Sequence, residues 1–171
     1  MFGQPYNWQR WGVSLILGGL LAAMPAMSTG EATVRAEGAI AQKMEYLKET
    51  DKKWLEIDLT RQRLIAWEGD QPVYAVVVST GKPSTATPPG IFAIQSKHRY
   101  ARMQGANYDI SKVPYTMYYH GGYAIHGAFW HNRFGTPVSH GCTNVAVDRA
   151  QWFFEWASVG TPVIVHDERD W

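Results

Sequence analysis

Cys142 is the only cysteine in a chain of 171 residues, and it stands in the stretch Ser139-His140-Gly141-Cys142-Thr143-Asn144. A single thiol allows no internal disulfide. With polar neighbours on both sides it reads as a nucleophile, and a thiol attacks as thiolate. Its ordinary pKa of about 8.5 means that a base or a positive field must activate it. His126, His131 and His140 lie nearest in sequence, while His98, His120 and His166 lie further off and read as hydrogen-bonded or surface residues. His140 is two positions from the thiol, so in an extended segment both side chains point the same way and the geometry is tight. His126 ends a run of strand character, and a base on a rigid element is better positioned than one on a loop. The expectation is His126 as base, with His140 as a second, supporting histidine.

An imidazole base needs an acceptor at its other nitrogen. No Asp or Glu lies between His126 and Cys142. The backbone carbonyl at Gly127 is the expected acceptor, and a carboxylate from elsewhere in the fold is the alternative. Gly141 lets the backbone approach a substrate closely, and the N–H groups of Gly141 and Cys142 are candidates for an oxyanion hole. Ser139 and Asn144 can tie the loop to itself or contact substrate, and Thr143 joins them as a candidate contact.

The elements that must hold these groups are mostly strands. Trp54 to Leu59, Leu64 to Trp67, Val73 to Ser79 and Gly90 to Ser96 are short runs rich in β-branched and aromatic residues, with a Pro/Ser/Gly loop from Lys82 to Gly90. The stretch Thr116 to Gly127 reads as a hairpin turning at Gly121-Gly122, a pair suited to a two-residue loop with positive φ. That turn sets Met117 opposite His126 and Tyr119 opposite Ala124. Met117 and Tyr119 then share the base's face and should wall an acyl pocket, with Tyr118 and Ile125 on the reverse. Residues 99 to 114 lie between strands and suit a lid. Asp148, with Gln151 three residues on, predicts the start of a helix carrying Trp152, Phe153 and Trp156 toward the core, ending before Gly160. Thr161 to Val165 closes with a strand. The fold class expected is mainly β, a sandwich or partly closed barrel with one C-terminal helix.

Composition narrows the partners. Hydrophobic residues make up 46% of the chain, charged residues 18%, and the formal net charge is +1. This is a globular balance with no basic tract, so no nucleic-acid partner is expected. The densest basic stretch, Lys97 to Arg102, reads as a solvated loop or as a clamp for substrate carboxylates. Near the N-terminus, Arg10 precedes the apolar run Val13 to Met24, followed by small residues and Pro25. Residues 1–27 read as a secretory signal or an uncleaved membrane anchor, the only expected contact with a membrane. Residues 28–52 read as a linker with a short helix broken at Gly38, and 53–171 as the catalytic domain. Export to the periplasm or the wall-facing side of the membrane follows from that reading.

The pair His126-Gly127 followed by Ser139-His140-Gly141-Cys142-x-Asn144 resembles the L,D-transpeptidase catalytic domain, also called YkuD. The stretches LEIDLTRQRLIAW, VVSTG and TPPGIFAI, with Thr87, Pro88 and Gly90 in the TP-x-G loop, are similar to that family's opening strands, so the resemblance runs from about residue 54 to 166. It implies a β-sandwich-like fold with Cys142 as nucleophile, His126 as general base, Gly127 as its orienting carbonyl, and His140 with Ser139 as the flank. Asn144 falls where the family carries Asn or Arg, and Thr143 departs from the aliphatic residue common there. The implied partner is a peptidoglycan stem peptide, cleaved between its third and fourth residues through a thioester that an amine or water resolves. No cofactor or metal is implied. Rival readings are zinc held by His126, His131, His140 and Cys142, a non-catalytic wall-binding module, and a cysteine peptidase of ordinary L,L bonds.

Overall fold

The computed structural model describes residues 28–105 and 108–168. The signal or anchor expected at residues 1–27 lies outside the described residues. Among those described, no helix is long and apolar enough to cross a membrane.

The expected linker contains a 20-residue helix, α1 (Thr29–Lys48). A capping box starts it: the Ser28 hydroxyl accepts from the Glu31 N–H, and the Glu31 carboxylate accepts from the Ser28 N–H. Gly38 does not break it. That position is exposed, and the roughly 1 kcal/mol a glycine costs relative to alanine is spread over a long helix. Ile40 and Leu47 bury against Trp54 and Ile164, which docks the C-terminal half of α1 on the domain.

Two sheets follow. The first holds β1 (Lys53–Asp58), β2 (Arg63–Glu68), β3 (Gln71–Val77), β4 (Gly90–Ala93) and β9 (Pro162–His166), in the order β3-β2-β1-β9-β4. β1 lies at its centre, antiparallel to β2 and parallel to β9. The second holds β5 (Ser96–Gly105), β6 (Tyr108–His120), β7 (Tyr123–Gly127) and β8 (Thr143–Val145) in that order, with β7 and β8 parallel. Leu55, Ile57, Leu64, Val163 and Val165 of the first sheet meet Met117, Tyr119, Ile125 and Val145 of the second in one core. The architecture is the mainly-β sandwich that the alternating runs predict.

α2 (Val147–Trp156) seals this core with Ala150 and Phe153. Asp148 does not cap it. β8 runs into the helix through a single residue, Ala146, which takes the N-cap position without a side-chain hydrogen bond. Asp148 falls inside the first turn, where its charge suits the helix dipole, and pairs with Arg149 at 3.1 Å. Trp152 and Trp156 are half-buried and stack on each other at 5.7 Å.

The hairpin register differs from expectation by one residue. The turn at Gly121-Gly122 forms, with Gly121 at φ 49° and His120 opposite Tyr123. Beyond it, however, Tyr118 faces Ala124 and Met117 faces Ile125, because the ladder is irregular between Tyr118 and His120. The extra residue, Tyr119, reverses the parity of everything before it. Met117 and Tyr119 therefore bury in the core, at 0% and 1% exposure, and do not wall the pocket. Tyr118 packs beside Cys142 instead.

Candidate active site

Residues 99–105 and 108–114 are strand, not loop. β5 and β6 pair antiparallel there, and Met103, Tyr108 and Ile110 from these strands line a pocket of about 330 Å³. The other walls are His126 on β7, Asn144 on β8, and Trp130, His131, Arg133, Val138, Ser139, His140 and Cys142 from the loop between them. Cys142 and His126 thus share one pocket.

The nucleophile loop is anchored from two sides. Ser139 Oγ accepts from the Gly141 N–H at 3.0 Å and donates to the Cys142 carbonyl, which closes the loop on itself. The loop after β3 braces it from outside. Thr87 Oγ1 donates to the Gly141 carbonyl at 2.7 Å and accepts from the Gly81 N–H at 2.9 Å, and Thr85 Oγ1 donates to the Ser139 carbonyl at 3.0 Å. Gly141 has φ 119°, and a Cβ there would lie 2.7 Å from the Tyr123 ring, so only glycine fits. Its role is conformational: its N–H is already held by Ser139, which leaves the Cys142 N–H as the loop's candidate oxyanion donor. Thr143 is fully buried, does not line the pocket and pairs with Ile125 through the backbone, so it is not a substrate contact.

The sulfur rests against the hairpin turn. Cys142 Sγ lies 3.6 Å from the Gly122 carbonyl, a thiol hydrogen bond, and the Ala124 backbone N–H also points to it. Burial pushes the thiol above its ordinary value, and the Ala124 N–H offsets part of that. His126 is 2% exposed. Its Nδ1–H donates to the Gly127 carbonyl at 3.1 Å, so Nε2 carries the lone pair. Burial pushes this imidazole down to about 4, with the Gly127 hydrogen bond opposing and nearby His131 reinforcing the shift. At neutral pH the two groups are an uncharged thiol and an uncharged imidazole. The orienter is the carbonyl at Gly127, and a Cβ at Gly127 would lie 2.9 Å from Pro114.

His140 is exposed at the pocket edge and its ring lies tilted against Tyr108 with centroids 4.8 Å apart, tying the nucleophile loop to β6. Asn144 sits beside His126 in the β7–β8 register. Its backbone exchanges hydrogen bonds with Ser79 at 2.8 and 3.0 Å, which links the two sheets. The amide of Asn144 meets His131 Nε2 at 2.8 Å, while His131 Nδ1 accepts from the Arg133 N–H at 3.2 Å. The amide atom that faces His131 Nε2 is Asn144 Nδ2. Burial, with Arg133 adding, holds His131 below the usual histidine value. The Trp130 ring lies tilted against His126, with centroids 5.7 Å apart. Trp130, Arg133 and Thr85 were not singled out as site residues by sequence reasoning, and His131 was named only as a histidine near the thiol and as a ligand in the zinc reading. The run Trp130-His131-Asn132-Arg133, close after His126-Gly127, was the available signal.

The zinc reading does not match this geometry. Among the described residues, the one set of three candidate ligands close enough to share an ion is Glu56, Asp58 and His166, on the first sheet and away from Cys142. Those groups hold each other and their neighbours: His166 pairs with Glu56 at 2.8 Å, the Trp67 indole N–H donates to Glu56 at 2.8 Å, and Arg61 donates to Asp58 at 2.9 Å.

A comparison with known proteins agrees with this geometry. The family model described as YkuD, the L,D-transpeptidase catalytic domain, matches residues 52–165. L,D-transpeptidase 1 of Mycobacterium tuberculosis is 35% identical over 99 residues, covering 51% of this chain and 39% of that protein. Among solved structures, a cysteine-to-serine mutant of the Enterococcus faecium L,D-transpeptidase superposes with a TM-score of 0.64 at 28% identity, over 68% of this chain and 50% of that one. The LD transpeptidase LdtMt1 in complex with imipenem superposes with a TM-score of 0.64 at 28% identity, over 68% and 59%. The chain therefore spans about two fifths to three fifths of the length of these relatives. With the motif, the sandwich and the match over residues 52–165 in agreement, the chain belongs to the L,D-transpeptidase catalytic-domain family.

Proposed function

We propose that this protein is an L,D-transpeptidase that acts on peptidoglycan tetrapeptide stems through a thioester on Cys142. The observation that carries the reading is a thiol and a strand-held imidazole lining one pocket, the imidazole with Nδ1–H bound to a carbonyl and Nε2 bare.

Because both groups are neutral at rest, the proton moves during attack. Nε2 of His126 takes the thiol proton as Sγ adds to the carbonyl carbon joining the third and fourth stem residues. The Cys142 N–H faces the developing oxyanion. His126 then passes the proton to the leaving nitrogen, the C–N bond breaks, and the fourth residue departs as a free amino acid. An amine from a second stem attacks the thioester, gives its proton to His126, and the C–S bond breaks to restore the thiol. Burial keeps the imidazole unprotonated at neutral pH, with Nε2 ready to accept the thiol proton. A peptidoglycan substrate calls for an enzyme outside the cytoplasm, and the apolar run Val13 to Met24 supports residues 1–27 as the segment that would carry it there.

The test is product analysis. Purified protein, a tetrapeptide stem ending in D-alanine and a different free D-amino acid should yield the exchanged tetrapeptide and free D-alanine. Cys142→Ala should yield neither, and turnover retained in that variant would overturn the assignment. Hydrolysis to the tripeptide alone would make the protein an L,D-carboxypeptidase. Imipenem, which a structural relative binds, is a second probe of the same sulfur.

A further inference from the structure

The pocket around Cys142 has a one-sided charge. Its lining includes three histidines and Arg133, and no Asp, Glu or Lys. Arg133 is exposed at the rim and has no ion-pair partner among the described residues. The cations that the sequence offered as a carboxylate clamp are committed elsewhere. Arg102 is held bidentately by Asp109 at 2.6 and 2.8 Å, Lys97 donates to the Ala157 carbonyl and lies 4.5 Å over Phe154, and Arg99 lies 5.5 Å over Tyr115. The backbone at Arg133 is fixed in contrast: its N–H donates to His131 Nδ1 at 3.2 Å, its carbonyl accepts from Ser79 Oγ at 2.7 Å, and two residues on the Gly135 N–H donates to Val78. A guanidinium on a fixed base, facing an acid-free pocket, is arranged for a carboxylate.

Substrate chemistry says which carboxylate. When the bond between the third and fourth stem residues is cut, the fourth residue of a tetrapeptide carries a free carboxylate one Cα away from the scissile nitrogen. The group that reads it must line the same pocket as the sulfur. We propose that Arg133 is a specificity-determining residue that binds the terminal carboxylate of the donor stem, and so selects stems ending at the fourth residue over stems extended or capped there. The proposal rests on the transpeptidase reading of Cys142. Asn144 lines the same pocket as this cation.

The experiment compares two donors, a tetrapeptide with a free terminal carboxylate and its terminal carboxamide, in wild type, Arg133→Gln and Arg133→Lys. Acylation of Cys142 is followed by intact-protein mass and by kinetics at low and high salt. Wild type should prefer the acid by about tenfold or more in kcat/KM, and the preference should shrink with salt, as expected of an exposed charge pair. Arg133→Gln should raise KM for the acid about tenfold, with kcat held and the amide unaffected, and Arg133→Lys should keep part of the preference. The proposal is overturned if Arg133→Gln keeps the wild-type preference or weakens acid and amide equally. It is also overturned if amidating the third residue's side-chain carboxylate, rather than the fourth residue's terminus, is what removes the effect of Arg133. If neither donor acylates Cys142 in wild type, the transpeptidase reading itself falls and takes the proposal with it.

Discussion

His126 and His166 are both drawn out of solvent, yet their surroundings move them in opposite directions. The hydrogen-bond partner of His126 is a carbonyl, at Gly127, and burial pushes the ring down to about 4. His166 also feels burial as its largest single influence, but the hydrogen bond and charge of Glu56, with Asp58 and Glu168 adding, leave it above the usual histidine value. The difference is a carboxylate. Beside His166 it makes a charged pair that ties the last strand to the central one, since Glu56 lies on β1 opposite Ile164 on β9. Beside His126 a carboxylate would favour the imidazolium and fill the role that the sulfur's proton must take. A carbonyl fixes the ring without charging it.

The largest expected effect falls on the uncharged histidine. His126→Gln should slow acylation of Cys142 by about 10²–10⁴-fold, the range for loss of a general base, measured by intact-protein mass against time. Its stability should move the other way. A histidine with a folded value near 4 and an unfolded value near 6.5 opposes folding as pH falls through 6.5, so wild type should lose about 3 kcal/mol from this group by pH 4. His126→Gln should flatten that part of the profile in urea melts. His166 has the opposite sign. Its contribution is fully present below 6.5 and is lost as pH rises through its raised folded value. Glu56→Gln should leave burial opposed only by Asp58 and Glu168 and lower the His166 value in an NMR titration. That variant should cost about 1–2 kcal/mol in acid, where the pair is charged, and less in base.

The site was more legible in the sequence than its supports were. The lone thiol, the histidine before Gly127 and the Gly121-Gly122 turn are local signals, and local chemistry preserves them. The bulge at Tyr119 is not local. It answers the packing of Tyr119 into a core shared by two sheets, and one unseen residue was enough to exchange Tyr118 for Met117 on the pocket side. The bracing of the nucleophile loop by Thr85 and Thr87 spans a separation of 54 residues, which no periodicity reveals. α1 was underread for a different reason: weight fell on Gly38, while the capping pair at Ser28 and Glu31 stood ten residues earlier. Asp148 was overread, because a good capping residue is used only if the chain turns there, and β8 brings the turn forward to Ala146.

The most direct measurement is the mass of the protein caught during turnover. Mixed with a tetrapeptide stem ending in D-alanine and quenched in acid, wild type should gain the mass of the acyl tripeptide on the peptide containing Cys142, with one equivalent of D-alanine released. Release of D-alanine without any adduct in wild type, or the same adduct in Cys142→Ala, would contradict covalent catalysis by this thiol.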